Sequence, residues 1–166
     1  MMIRKVFITI IAFLLMQSLH AQHIVDTHAH FIPQSYRSFL AQHDALFSED
    51  FPIPQWDLKQ HIQFMDEAGI TQSVLTLPAP QPWFGDTEEG AAFVRKTNEE
   101  MAELKKQYPD RFLFCATLPL PDVEAAVREA IYCLDSLHAD GVKLASNSYG
   151  QYLGDPAPGT PDEGYE

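Results

Sequence analysis

Positive charge is scarce in this sequence. Eleven lysines and arginines stand against 23 aspartates and glutamates, a formal net charge of −12. So acidic a surface repels phosphate backbones and anionic lipid, which excludes nucleic acid and a charged membrane face as partners. Cysteine is nearly missing as well. The two cysteines, Cys115 and Cys133, cannot build a disulfide framework. One lies in an apolar strand-like run and the other inside an amphipathic helix, where each reads as a small buried hydrophobe. There is no short repeat, no basic run, no phosphate loop, no nucleotide-binding fingerprint and no Ser–His–Asp ordering.

Apolar runs long enough to cross a bilayer are lacking too. The longest candidate, Val6 to Met16, is 11 residues, which as a helix spans only about half of a bilayer core of ~30 Å. It follows Arg4 and Lys5 and leads through Ser18 to the small residue Ala21. That is the three-part layout of a secretory signal peptide. Residues 1–21 are therefore expected to be cleaved, giving an exported, periplasmic or secreted protein with no stable membrane anchor. No cysteine at the boundary offers a lipid attachment.

What is present is a composition fit for a core: 46% hydrophobic residues and 11% aromatics. His23–His28 reads as a short buried strand. The polar and mixed stretch from Ala29 to Pro54 reads as a long loop. Asp57 caps a helix whose Leu58, Ile62, Met65 and Ala68 recur at helical spacing, and Gly69 ends it. Ile70–Pro78 is strand-like. Thr87–Tyr108 reads as a long solvated helix, with Glu88, Glu89, Glu99, Glu100 and Glu103 on its exposed side. Residues 111–120 give a third strand. Asp122 caps the clearest helix, whose apolar stripe is Val123, Val127, Ala130, Ile131, Leu134 and Leu137. Gly141–Ser146 is the fourth strand. Apolar strands alternating with helices predict a parallel sheet in an α/β fold. Beyond Ser146 the sequence carries proline and glycine without apolar periodicity.

One stretch stands apart. In Ile24–Phe31, "IVDTHAHF", an aspartate and two histidines occupy alternate positions at the end of the first strand. Alternation puts Asp26, His28 and His30 on one side of an extended chain. Imidazole nitrogen is a preferred ligand of zinc-class cations. In parallel α/β folds, ligand sites lie at the carboxyl ends of the strands, which is where the pair sits. His28 and His30 are thus candidate metal ligands, with Asp26 as a supporting group behind them.

Around these residues, "DTHAH" after the first strand, "MDEAGI" before the second, "DRF" before the third and "ADGVKL…YLGDP" around the fourth resemble the metal-dependent amidohydrolase superfamily. Within it the chain is similar to the aminocarboxymuconate-semialdehyde decarboxylase branch, and Trp83–Val142 looks most like the 6-methylsalicylate decarboxylase type. The likeness covers Ile24 to Pro156. It implies a (β/α)8 barrel with one divalent metal, zinc in most members, and decarboxylation of a small aromatic carboxylic acid. Metal-dependent hydrolysis of a lactone, ester or amide is the alternative activity. It implies metal ligation by His28 and His30. The remaining ligands and a catalytic histidine would come from later strands, and none is found here.

The expected fold is thus the amino-terminal half of a (β/α)8 barrel, about four βα units over residues 22–156, with an irregular tail at 157–166. A truncated, inactive or non-catalytic piece is the expectation for these residues alone, and its oligomeric state stays open. His43, His61 and His138 sit away from strand ends and are not expected to ligate. Lys143 lies within the fourth strand, where an ordinary barrel lysine is the expected role. Trp83 and Phe84, with Asp86, lie in the loop after the second strand, and Asn147 follows the fourth. Trp83, Phe84 and Asn147 are candidates for contacting a planar substrate, with loop cover and turn formation as the competing roles.

Overall fold

The computed structural model describes residues 23–48, 50–148 and 151–152. The expected signal peptide and the tail at 157–166 lie outside the described residues. Four strands, β1 (Val25–His30), β4 (Gln72–Thr76), β5 (Phe112–Thr117) and β6 (Gly141–Lys143), form one parallel sheet in that order. Between them run α1 (Gln34–Gln42), α2 (Leu58–Ala68), α3 (Thr87–Gln107) and α4 (Val123–Asp135). Neighbours in the sheet are neighbours in the chain, joined by helical crossovers. Four consecutive units of this kind make one half of an eight-stranded barrel. Among the described residues no helix is long and apolar enough to cross a membrane.

Helix starts and stops follow local chemistry. The carboxylates of Asp57, Asp86 and Asp122 accept hydrogen bonds from the backbone N–H of Gln60 (2.8 Å), Glu89 (3.0 Å) and Ala125 (2.9 Å). Each satisfies a donor that the helix itself cannot. Asp86 is thereby a cap of α3 and not a free loop acid. Gly69 ends α2 in the left-handed region, φ 70°, which glycine adopts without steric cost. The stretch from Ala29 to Pro54 departs from the loop expected of it. It holds α1 and a two-stranded antiparallel hairpin, β2 (Phe47–Ser48) with β3 (Phe51–Pro52). α1 escapes sequence reading because it is short and has no side-chain N-cap. Tyr36, Phe39 and Leu40 build it into a second core with Ile32, Ile53, Leu77 and Phe93.

The main core lies on one face of the sheet. Leu75, Phe112, Phe114 and Ala116 pack there under Met65 of α2, Met101 and Leu104 of α3 and Cys133 of α4. Both cysteines are free. A buried polar clamp ties the end of β5 to the helices. The Asn98 amide donates to the Thr117 carbonyl and the Glu129 carboxylate, each at 2.9 Å, and its oxygen accepts from the Thr117 N–H at 2.9 Å. Arg95 donates to Glu129 at 2.8 Å, so the buried carboxylate is fully engaged.

Most of the apolar stripe expected to bury α4 is instead on its exposed side, while Ala130 is half-buried and Leu137 packs against the main core. Val123, Val127, Ile131 and Leu134 are 44–55% exposed, while Ala126, Glu129 and Cys133 face inward. The hydrogen bonds of Glu129 decide the rotation of the helix: its carboxylate has to reach Asn98 and Arg95 under α3. Replacing Val127 and Ile131 together by lysine is therefore expected to change unfolding free energy by no more than about 1 kcal/mol, as for surface sites generally. Urea denaturation measures this; a loss above about 3 kcal/mol would mean that the stripe is packed.

Candidate functional site

The site begins where β1 meets its neighbour. Pairing runs Val25 to Gln72 and Asp26 to Ser73, then Ala29 to Leu75 and His30 to Thr76, so the register slips between Asp26 and Ala29. Three steps along β1 match two along β4, and a one-residue slip moves side chains to the opposite face. His30 consequently pairs with Thr76 on the face away from the main core, whereas Asp26 pairs with Ser73, which is buried under the helices. Across this irregularity Asp26 and His30 pair on opposite faces of the sheet, yet Asp26, His28 and His30 all line one cavity at the strand's edge. Asp26 still serves the turn of chain: its carboxylate accepts from the His28 backbone N–H at 3.0 Å.

His28 and His30 do converge. Their Nε2 atoms are 3.1 Å apart, with ring centroids separated by 5.0 Å and planes tilted by 46°. The pair opens on a cavity of about 400 Å³ whose walls include Asp26, Trp56, Gln60 and His61. Burial lowers the pKa of His30 from its ordinary 6.5, helped by the positive charge available on His28 and Lys143 and opposed by Asp26. A neutral imidazole keeps a lone pair to offer. Two nitrogens 3.1 Å apart match adjacent ligands of one cation at bond lengths of ~2.0–2.1 Å. The donor set fits a divalent metal in chemistry and spacing, as two ligands of a larger set. Among the described residues no group of three or more His, Cys, Asp or Glu is placed to hold a metal ion.

His61 reaches this cavity although it sits inside α2. Its nitrogens are already engaged: Trp56 Nε1–H donates to Nδ1 at 3.0 Å, and Nε2 lies 3.4 Å from the Ser73 hydroxyl. Accepting from Trp56 requires Nδ1 to be unprotonated. Burial lowers the His61 pKa below 6.5, with Arg111 adding to the effect and Asp26 opposing it. The unfolded chain then binds more protons than the folded one just below pH 6.5, so stability is full above that pH and declines as the pH falls toward the folded-state value. The urea midpoint is expected to drop on acidification from about pH 7 to 5.5 by this linkage. His61→Gln should flatten that slope; an unchanged slope would show that His61 does not titrate differently on folding. His43 and His138 line neither the His28–His30 cavity nor each other's surroundings. His43 stacks on Phe84, with centroids 4.4 Å apart, and His138 turns the chain at φ 54°.

The three residues expected to meet a substrate gather elsewhere. Trp83, Phe84 and Asn147 line a cavity of about 330 Å³, together with Pro80, Lys143 and Ala145. Phe84 is also held against α1, through His43 and through Phe39 at a centroid distance of 5.8 Å. Sequence reasoning missed that Lys143 belongs with them. The signal was available: alternation along β6 puts Lys143 on the same side as Gly141, whose missing Cβ would stand 3.4 Å from Cys115 Sγ on the face away from the core.

A family model described as amidohydrolase matches residues 25–166. The 6-methylsalicylic acid decarboxylase of Aspergillus aculeatus is 35% identical over 138 residues, covering 80% of this chain and 41% of that protein. A solved structure described as an amidohydrolase II superposes with a TM-score of 0.76 at 34% identity, over 80% of this chain and 44% of the other. The dihydroxybenzoic acid decarboxylase of Polaromonas, solved with bound manganese and the inhibitor 2-nitroresorcinol, superposes with a TM-score of 0.60 at 25% identity, over 73% and 37%. The chain spans about two fifths of the length of the curated relatives it matches.

Proposed function

Since the chain belongs to the amidohydrolase family, we propose that it supplies the first metal-ligating half of a decarboxylase acting on a small aromatic carboxylic acid. One observation carries the reading: the two histidine Nε2 atoms, 3.1 Å apart, at the carboxyl end of the first strand. His28 and His30 hold one divalent metal in this proposal. Zinc is the first choice on ligand chemistry, and the manganese in the Polaromonas relative makes it the competitor. When bound, the metal attracts the oxygen groups of the acid and lowers the energy of developing negative charge.

The rest is done by the chain's own residues. Asp26 fixes the backbone between itself and His28, which sets the angle at which the imidazoles leave the strand. Lowered basicity keeps His30 neutral at pH 7 and available as a donor of its lone pair. The decarboxylation itself exchanges the ring-carbon–carboxylate bond for a ring-carbon–hydrogen bond, releasing carbon dioxide, and needs an acid to protonate the ring. In the proposal that acid, and the remaining metal ligands, lie outside this chain, so the 166 residues alone are inactive. Export through residues 1–21 is proposed as well, with a mature terminus at Gln22 that intact mass of the native protein would reveal.

The test compares reactions on a polypeptide completed with the second half of a barrel. 6-Methylsalicylate and 2,6-dihydroxybenzoate are assayed beside a panel of lactones and aryl esters. Carbon dioxide release with no hydrolysis supports the proposal. Hydrolysis with no carbon dioxide replaces it with a hydrolase.

A further inference from the structure

The 330 Å³ cavity beside Trp83 and Phe84 contains a cation that the metal site does not use. Lys143 lies on β6, opposite Thr117 of β5, in a sheet where His30 pairs with Thr76. Following the pairing from strand to strand, His30, Thr76, Cys115 and Gly141 occupy one row on the face away from the main core. Lys143 stands one inward-facing step further toward the carboxyl ends of the strands. It is near enough to His30 for its charge to depress that imidazole's pKa.

Two features separate Lys143 from an ordinary surface lysine. Burial pushes its own pKa below the usual 10.5 with no carboxylate pulling it back. Among the described residues it makes no ion pair. A half-buried ammonium is a costly arrangement without an acceptor. The amide side chain of Asn147 and the aromatic rings of Trp83 and Phe84 complete the wall.

We infer that Lys143, with Asn147 beside it, forms an anion subsite that takes the carboxylate of a planar aromatic acid against the Trp83–Phe84 wall. Lys143 is thus a specificity-determining residue and not packing. The identity of the acid rests on the proposed decarboxylase function, while the subsite itself rests on Lys143, Asn147 and the cavity. An ammonium offers three donors to a carboxylate and the Asn147 amide two further ones, and charge-assisted hydrogen bonds of this kind are the stronger class.

The probe is salicylate, with 2-hydroxybenzyl alcohol as its neutral counterpart, measured by ligand-observed NMR on the 166-residue chain in chelator at pH 7. Wild type is expected to bind salicylate at least tenfold more tightly than the alcohol. Lys143→Met should lose at least tenfold toward salicylate and leave the alcohol unchanged; Lys143→Arg should stay within about threefold, because it keeps the charge and the donors. Asn147→Ala should fall between them. Equal binding of acid and alcohol by folded wild type, no salicylate binding at all, or undiminished binding by Lys143→Met each overturn the subsite. Since neither metal nor turnover enters the assay, such a result would leave the decarboxylase proposal standing. Lysine-dependent salicylate binding together with a completed enzyme that releases no carbon dioxide would do the reverse.

Discussion

Replacing Asn98 by alanine is expected to cost about 3–5 kcal/mol of unfolding free energy, the cost typical of breaking a buried charged network. Asn98 is fully buried and makes three hydrogen bonds of 2.9 Å that link α3 to the end of β5 and to Glu129 of α4. Alanine leaves the N–H and carbonyl of Thr117 without their partner and takes one donor from a carboxylate that is 4% exposed. Domains of this size have roughly 5–15 kcal/mol to lose, so the variant should sit close to its unfolding transition at room temperature. Asn98→Asp tests the same clamp differently: it sets a second carboxylate against Glu129 and offers Thr117 no donor. Equilibrium urea unfolding of both variants decides the matter. A loss under about 1 kcal/mol for alanine would mean that water replaces the amide and the clamp contributes little.

The second large effect concerns binding and not stability. Replacing His28 and His30 together by alanine is expected to lower divalent-metal affinity by more than ~100-fold, beyond what loss of a supporting residue costs. Both side chains are exposed, so unfolding free energy should move by less than about 1 kcal/mol. This split is informative. A pair kept for packing would show the opposite: stability lost, metal binding unaffected. Titration of zinc and of manganese into wild type and the double variant, by calorimetry, gives the affinities, and urea unfolding of the metal-free proteins gives the stabilities. Metal binding that survives the double substitution would place the site elsewhere.

The four strands and three longer helices are legible in the sequence because each has its own punctuation. Asp57, Asp86 and Asp122 cap, Gly69 terminates, and Val, Ile, Phe and Leu fill the strands between. α1 was not legible because Pro33 replaces a capping side chain and its buried face is completed only by residues as distant as Leu77 and Phe93. The rotation of α4 was misjudged for a related reason. Apolar periodicity picks out Val123, Val127 and Ile131, but the buried hydrogen bonds of Glu129 outweigh it. At the site, the spacing of His28 and His30 was enough to bring their nitrogens together. The side taken by Asp26 was not readable, because a register slip leaves no mark in the amino-acid pattern. Lys143 was readable by alternation from Gly141, but its significance depends on the cavity that the loop at Trp83 and Phe84 closes around it.

The most direct measurement of the central claim is the fate of the ring carbon. The completed, metal-loaded polypeptide is given 6-methylsalicylate in deuterium oxide, and the product is read by proton NMR. Decarboxylation through ring protonation predicts 3-methylphenol carrying one deuterium at the carbon between the hydroxyl-bearing and methyl-bearing positions, with no such product from the His28→Ala/His30→Ala form. Recovery of unreacted acid beside turnover of an ester or lactone, or equal turnover without the two histidines, would contradict the account.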